Sequence, residues 1–421
     1  MNDVPKRDPY AVLRISEFRN FQVSRFTFTF ATQLAETILG WKVYEITHDK
    51  LALGLIGLAE ALPFIVTSLF SGHIADNYNR NKIVLRCIYV MLFCFGVITS
   101  FMFHDSAVLR ENGMWPVYFM IGISGIARGF MAPCMQSMLP QILPRELYAN
   151  GATWSSNTWQ TAAVTGPAVG GLMYGMLKSY YPVSDVAEIV SFSFAVVLIA
   201  FSGYSFSRLA QRPIPAKEKT ETLAESLKAG LQFVFNKQEM LSAISLDLFA
   251  VLFGGAVALL PVYASDILHA GPQGLGLLRA APFLGSVVMG LFLAYYPPTF
   301  NAGRNLLFAV TGFGLATIAF AVSQNFVLSF FMLFLTGAFD NVSVVIRQTI
   351  LQVMTPNHMR GRVSAVNQIF ISSSNEIGAF ESGLAAKLMG TVPSVIFGGC
   401  MTLLVVISTF ALAPKMRKLK L

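Results

Sequence analysis

Long apolar runs alternate with short polar joints from one end of the chain to the other. A helix needs about 20 apolar residues to cross hydrocarbon. Runs near or above that length lie at 21–46, 52–75, 83–103, 114–138, 148–178, 186–207, 240–264, 274–297, 304–323, 326–350, 362–389 and 392–413. The residue-by-residue alternation of an outer-membrane barrel is absent. The pattern predicts an all-α polytopic membrane protein with twelve transmembrane helices. The longest polar joint spans 208–239. It opens with "RPIP" and carries Leu223, Leu227, Leu231 and Val234 at helical spacing. An amphipathic helix lying along the membrane surface is expected there. It divides the chain into a bundle at 1–207, a linker at 208–239 and a second bundle at 240–421.

Composition agrees with this reading. Charged residues make up 12% of the chain, about half the roughly 25% of soluble domains, too few to clothe a water-facing surface. The first apolar run follows Lys6, Arg7, Arg14 and Arg19. It is too long for a signal-peptide core and no small-residue cleavage site follows, so it is expected to remain as the first span. The net charge of +8 is sorted by loop. The N-terminal arm, the tail and alternate joints hold most of the cations, among them Arg80, Lys82, Arg86, Arg145, Arg208, Arg304, Arg360 and Arg362. The opposite joints hold little beyond Lys50, Arg110, Lys178 and Lys387. This asymmetry puts both termini in the cytoplasm of a multi-pass inner-membrane protein and calls for no nucleic-acid partner. Cys87, Cys94, Cys134 and Cys400 fall in apolar runs without paired spacing and read as buried small side chains. No GxxxxGK[ST] loop is present, and the five histidines lack metal-ligand spacing. The expectation is no enzyme, no cofactor and no metal.

The two halves repeat. Gln136, Leu139 and Pro144 correspond to Gln348, Leu351 and Pro356 at one offset (348 − 136 = 212), which also carries Gly166 to Gly378 and Gly171 to Gly383. Gly57, Pro63 and Phe64 correspond to Gly276, Pro282 and Phe283 at a second offset (276 − 57 = 219). Parallel six-span repeats with a substrate site between them are one established transporter plan.

Between spans two and three lies "GHIADNYNRNK" (72–82). Gly72, Asp76, Arg80 and Lys82 resemble the signature loop of the major facilitator superfamily, although Asn77 and Asn79 replace its usual basic residue and glycine. "LPQILPRELYANG", "TGPAVGG", "GLLRAAPFLGS" and "LQVMTPNHMRGRVSAVNQIFISSSNEIGAFESG" resemble the siderophore and macrolide exporter branch. The resemblance covers nearly the whole chain. It implies the major facilitator fold, with two pseudo-symmetric six-helix bundles and a cavity lined by spans one, four, seven and ten. It also implies a secondary active transporter working by alternating access as a monomer. The expected activity is proton-coupled export of a siderophore or other amphipathic small molecule. A lipid or lysolipid translocator, an importer and a non-transporting receptor or scaffold are the alternatives. Asp76 would dock against the start of span eleven, near Arg360 and Arg362, when the cytoplasmic side is shut. A plain solvated turn is the competing reading of that residue.

Ionisable residues inside spans cost about 2.5–3.5 kcal/mol each and so invite a role. Glu36, Arg128, Asp247 and Asp340 fall on spans one, four, seven and ten. Arg128 and Asp340 are repeat-equivalent (340 − 128 = 212) and are expected to face each other across the cavity, either as a working pair or as mutual neutralisation. "GIARG" around Arg128 resembles the span-four arginine motif of proton antiporters. Glu60 and Arg279 are likewise equivalent (279 − 60 = 219) and suggest an outer gate or packing within a half. Glu36, Asp340 and Glu376 are the candidate proton carriers, since burial and exposure change a carboxylate's proton affinity. Arg25 and Lys42, near the ends of span one, are expected to snorkel to the headgroups, and Arg347, at the end of span ten, reads as topological. In span five, Gly166, Pro167, Gly170 and Gly171 have the small-residue spacing of close helix contact, and the resemblance implies packing against span eight. Gly378 and Gly383 mirror them.

Overall fold

The computed structural model describes residues 10–102, 113–182, 184–210, 223–296, 298, 301–356 and 359–419. The side chains of Gly72, Asp76, Arg360 and Glu376 lie outside the described residues, and so does the docking expected of Asp76. Six helices form the first half: α1 (Ser16–Thr47), α2 (Lys50–Asn77), α3 (Arg80–Met102), α4 (Trp115–Ile142), α5 (Tyr148–Tyr180) and α6 (Val186–Ser207). A linker helix follows at Leu223–Phe235. The second half holds α7 (Gln238–Phe253), α8 (Gly271–Tyr295), α9 (Ala302–Val322), α10 (Phe326–Met354), α11 (Arg360–Met389) and α12 (Thr391–Leu412).

Local chemistry sets the ends of these helices. Asp49 accepts the Leu51 N–H at 3.0 Å and caps α2, while Asn325 accepts from Leu328 at 3.0 Å and caps α10. α8 begins at Gly271, whose φ of 65° suits glycine, and Pro272 takes the first turn, where no N–H is needed.

Span seven departs from the expected continuous helix. It stops at Phe253, passes through Gly254 and Gly255, and resumes as a 3₁₀ turn (Ala256–Leu259), a short turn at Leu260–Val262 and a π turn (Tyr263–Ile267). Gly254 and Gly255 take φ of −80° and −68°, so it is the closeness of their neighbours that calls for glycine, and Pro261 removes a donor from the next turn. Phe313 and Ser382 come so near that a Cβ on Gly254 or Gly255 would stand 2.5 or 2.9 Å from them.

Nine helices among the described residues are apolar enough to cross a membrane by composition alone. α1, α5 and α11 are not among them, because they carry more polar side chains, some of which serve packing within the bundle. In α1, Gln22 donates to Ser155 at 2.8 Å and Ser24 meets Ser202 at 3.0 Å, all of them buried. α1 packs on α5 and α6, α2 on α4, and α3 on α4 and α6. The second half repeats this pairing, with α7 on α11 and α12, α8 on α10, and α9 on α10 and α12. Between the halves, α5 packs on α8 and α2 on α11.

The hydrophobic core records which face is closed. One core joins the first half to Ala256–Ala264, Leu275–Ala281, Phe320, Leu333 and Ala386 of the second. A separate core, from Met240–Ala250 through Ile346–Leu351 to Met416, belongs to the second half alone. The halves are therefore fused toward the face opposite the termini and separate toward the face that carries them. Lys387 bridges to Asp49 at 3.0 Å on the fused face, and the Tyr44 hydroxyl donates to Asp266. Partial burial works against the Asp49 carboxylate, but the bonds from Lys387 and the Leu51 N–H outweigh it and hold its pKa below the ordinary value. A lowered folded pKa gives stability that is complete above the unfolded value and lost only as pH falls through the folded one. This latch should thus hold constant strength from about pH 5 to 8. Lys387→Gln is expected to raise labelling of the seam from the fused face by no more than a few-fold, since the pair is half exposed. Labelling that varied across that pH range in wild type would contradict the assignment.

The linker helix rests on α11, with Gly230 against the Arg362 carbonyl. Val234 is buried and Leu231 exposed, while the Leu223 and Leu227 side chains lie outside the described residues. Cys400 is exposed, unlike the three other cysteines and contrary to expectation.

Candidate functional site

A cavity of about 590 Å³ lies in the seam between the halves. Its walls come from α1, α2, α3, α4, α5, the α7 break, α8 and α11, with Gln33, Trp159, Phe283, Gln368 and Asn375 among the lining side chains. Trp159 and Phe283, from opposite halves, meet edge to face at 6.0 Å, the geometry their ring quadrupoles favour. The sequence places Trp159 at the entry of span five but not against Phe283, whose meeting with it needs the α5–α8 contact.

The charged centre of this cavity is a triad within the first half. Arg128 donates to Glu36 at 3.0 Å and also to Glu60 in close contact. α4 lets α2 come near at Gly125, where a Cβ would sit 2.6 Å from the Glu60 carbonyl oxygen. That approach delivers the Glu60 side chain to Arg128, three residues further along α4. From the other half, Arg279 of α8 reaches across to Thr37 at 3.4 Å, next in sequence to Glu36, and lines the same cavity as Glu36.

The second half has its own set. Asp247 and Arg347 form a buried ion pair, and Ser343 adds a hydroxyl 3.4 Å from the same carboxylate. Asp340 lies seven residues before Arg347 (347 − 340 = 7), on the same face of α10. With Asp247 it lines a small void beside Phe313 and Phe339. Asp340 forms no ion pair or hydrogen bond among the described residues.

Four expectations are corrected. Arg128 pairs with Glu36 and Glu60 rather than with Asp340, and Asp340 stands beside Asp247 and Arg347 of its own half. Glu60 and Arg279 do not form an outer gate, since Glu60 turns to α4 and Arg279 to α1. The reason is common to both cases. A repeat offset relates matching helices of different halves, whereas contact across the seam joins unlike helices, α2 to α11 and α5 to α8. Arg347 is not a topological surface cation, being only 2% exposed. Lys42 also fails to reach the headgroups. It binds Glu188 at 2.8 Å together with Lys178, and Tyr174 donates to the same carboxylate.

The glycines divide by partner. A Cβ on Gly171 would meet Pro272 O at 2.5 Å and Gly276 Cα at 2.6 Å in α8, and the Pro167 carbonyl faces Gly276 from the same side. Gly383 meets Gly54 of α2 in the same way, across the seam. Gly166 and Gly170 instead face α1, and Gly378 faces α7, each within its own half. The expected contact with span eight therefore belongs to only part of the motif. In the signature loop, Arg80 reaches the Ser137 carbonyl at 3.4 Å, and the Lys82 N–H bonds Asn79 Oδ1 at 3.2 Å. Asn79, the departure from the usual glycine, thus caps α3. Arg362 approaches the Met359 sulfur at 3.4 Å.

Known proteins agree with this architecture. The chain is 23% identical over 389 residues to the enterobactin exporter EntS of Escherichia coli O1:K1, covering 91% of this chain and 88% of that one. It is 23% identical over 356 residues to macrolide efflux protein A of Streptococcus pyogenes, covering 82% and 83%. The crystal structure of a D-xylose–proton symporter superposes with a TM-score of 0.74 at 12% identity, over 96% of this chain and 99% of that one. Residues 7–420 match the family described as transmembrane secretion effector. The protein is a membrane transporter of the major facilitator superfamily and belongs to its transmembrane secretion effector family.

Proposed function

We propose that the chain is a proton-driven exporter of an amphipathic small molecule, of the kind represented by siderophores and macrolides. Its termini lie in the cytoplasm and it works by alternating access. The observation that carries this reading is the charge arrangement at the seam. Glu36 and Glu60 share Arg128 within one half, and Arg279 of the other reaches Thr37 and lines the same cavity. With the fused face shut, two carboxylates stand with two guanidinium groups and the count balances. Opening that face draws α8 and Arg279 away, leaving two carboxylates on one arginine. A proton taken from outside restores the balance, because an uncompensated charge in a low-dielectric site is costly. Closing the face returns Arg279 and releases the proton inward. Substrate leaves in the opposite direction on the same cycle, so the order of events is that of an antiporter. The exporter names of two relatives support the direction, and the cation-rich loops support the orientation.

The test uses inside-out proteoliposomes with radiolabelled catecholate siderophore and radiolabelled macrolide as probes. An acid-inside gradient should drive accumulation of at least one probe. Glu36→Gln should cut that accumulation at least about tenfold while leaving counterflow exchange in place. Gradient-driven accumulation unchanged by Glu36→Gln would remove the triad from coupling. A seam that labels from a single face under all conditions would remove alternating access itself.

A further inference from the structure

A second cavity of about 360 Å³ leaves the seam and enters the interior of the second half. It shares Val257, Ala258, Arg279, Phe283, Asn375 and Ala379 with the seam cavity, passes the α7 interruption at Gly254 and Gly255, and reaches Phe313, Thr317 and Phe320 of α9, which do not line the seam cavity. α9 packs on α10 and α12, away from the first half. The space is thus a side pouch set off the axis about which the halves meet. Its volume falls in the range that holds small ligands, and its wall is mostly apolar and aromatic.

Among the described residues, two charged ones line it, Asp340 and Arg279. Arg279 stands at the shared rim and is turned toward Thr37 across the seam. Arg347 is the cation nearest to Asp340 on α10, and Asp247 already holds it. Asp340 therefore presents a carboxylate to an aromatic chamber with no ion pair or hydrogen bond of its own among the described residues. Such a group is neutralised by a proton or by a positive charge brought from outside, and ring faces attract an organic cation as well.

We propose that this pouch is a binding subsite for lipophilic cations. The positive nitrogen or phosphorus centre sits at Asp340, and the apolar substituents fill the chamber toward Phe313 and Phe320. The inference rests on reading the seam as the transport route and extends it, because the pouch opens from that route. It selects cationic amphiphiles over anionic ones of equal shape.

Tetraphenylphosphonium and tetraphenylborate test this directly, since they share one shape and carry opposite charges. Equilibrium binding to the purified full-length chain is measured with the labelled cation, and the anion is used as competitor. A tryptophan at Phe313 (Phe313→Trp) reports by its emission whether the cation enters the pouch. The cation should bind and shift that emission, and the anion should compete at least about tenfold more weakly. Asp340→Asn should weaken cation binding at least about tenfold, and Asp340→Glu should restore most of it. Equal binding of the two ions, unchanged cation binding in Asp340→Asn, or a silent reporter during cation binding would each overturn the subsite. Side-switching of the seam, followed by cysteine labelling in the same preparations, separates the two readings. Loss of the subsite in a chain that still switches sides removes only the pouch. A functioning pouch in a chain that never switches removes only the transporter.

Discussion

Arg128→Met is expected to abolish gradient-driven transport, by a hundredfold or more, and to lower thermal stability as well. The substitution leaves Glu36 and Glu60 facing each other without the guanidinium that now bonds both. Removing one partner of a fully buried pair costs about 3–5 kcal/mol. Here the side chains are 13–31% exposed to the cavity, so roughly 2–3 kcal/mol is the better figure. For a chain of this size that lowers the unfolding midpoint by about 2–4 °C. Glu36→Gln and Glu60→Gln added to Arg128→Met should restore most of the lost stability, because a neutral set has no stranded charge. Transport should stay lost, because nothing remains to carry the proton. Midpoints by light scattering and uptake into proteoliposomes read the two effects separately. A triple variant no more stable than Arg128→Met would show that the triad is not what holds α1, α2 and α4 together.

The second large effect concerns Gly171. A valine there places its Cβ against the Pro272 carbonyl and the Gly276 backbone, which cannot rotate aside as a side chain would. Overpacking of this kind costs about 1–3 kcal/mol. The cost falls only on the arrangement in which α5 and α8 touch, so it shifts the balance toward an open fused face by about thirtyfold at 2 kcal/mol. Transport should drop at least tenfold as the cycle stalls on one side. The measurement is labelling of a single cysteine at Ile56, a cavity-lining position, with an impermeant maleimide applied from the fused face and the native cysteines replaced. Gly166→Val makes the contrast. Its Cβ would press on Gln33 and the Phe30 carbonyl of α1, within one half, so stability should fall while the labelled side stays the same. Identical labelling of Gly171→Val and wild type would place the rocking surface elsewhere.

Much of the architecture was already legible along the chain. Twelve runs, a polar joint in the middle and a repeat held at two offsets follow from hydrocarbon thickness and from shared descent of the halves. Both are properties of single positions or of spacing. Span seven shows where this stops. Its run of apolar residues is as long as its neighbours', and the break at Gly254–Gly255 is decided by how near Phe313 and α11 come to those two backbone positions. The candidate site divides in the same way. The cost of burying charge singled out Glu36, Glu60, Arg128, Asp247, Asp340 and Arg279 one by one. It gave no reason to join Glu60 to Arg128, to pair Arg347 with Asp247, or to leave Asp340 without a partner among the described residues.

By itself, then, the amino-acid order determined that the chain crosses the bilayer in two related bundles, and which of its residues carry charge into the membrane. Partnership among those charges, the closed face and the side pouch were decided only by tertiary packing. Apolar length and charge cost act on each segment alone, whereas an ion pair depends on which helices meet and at what height. That meeting is set by small residues such as Gly125 and Gly171, whose near neighbours come from other helices.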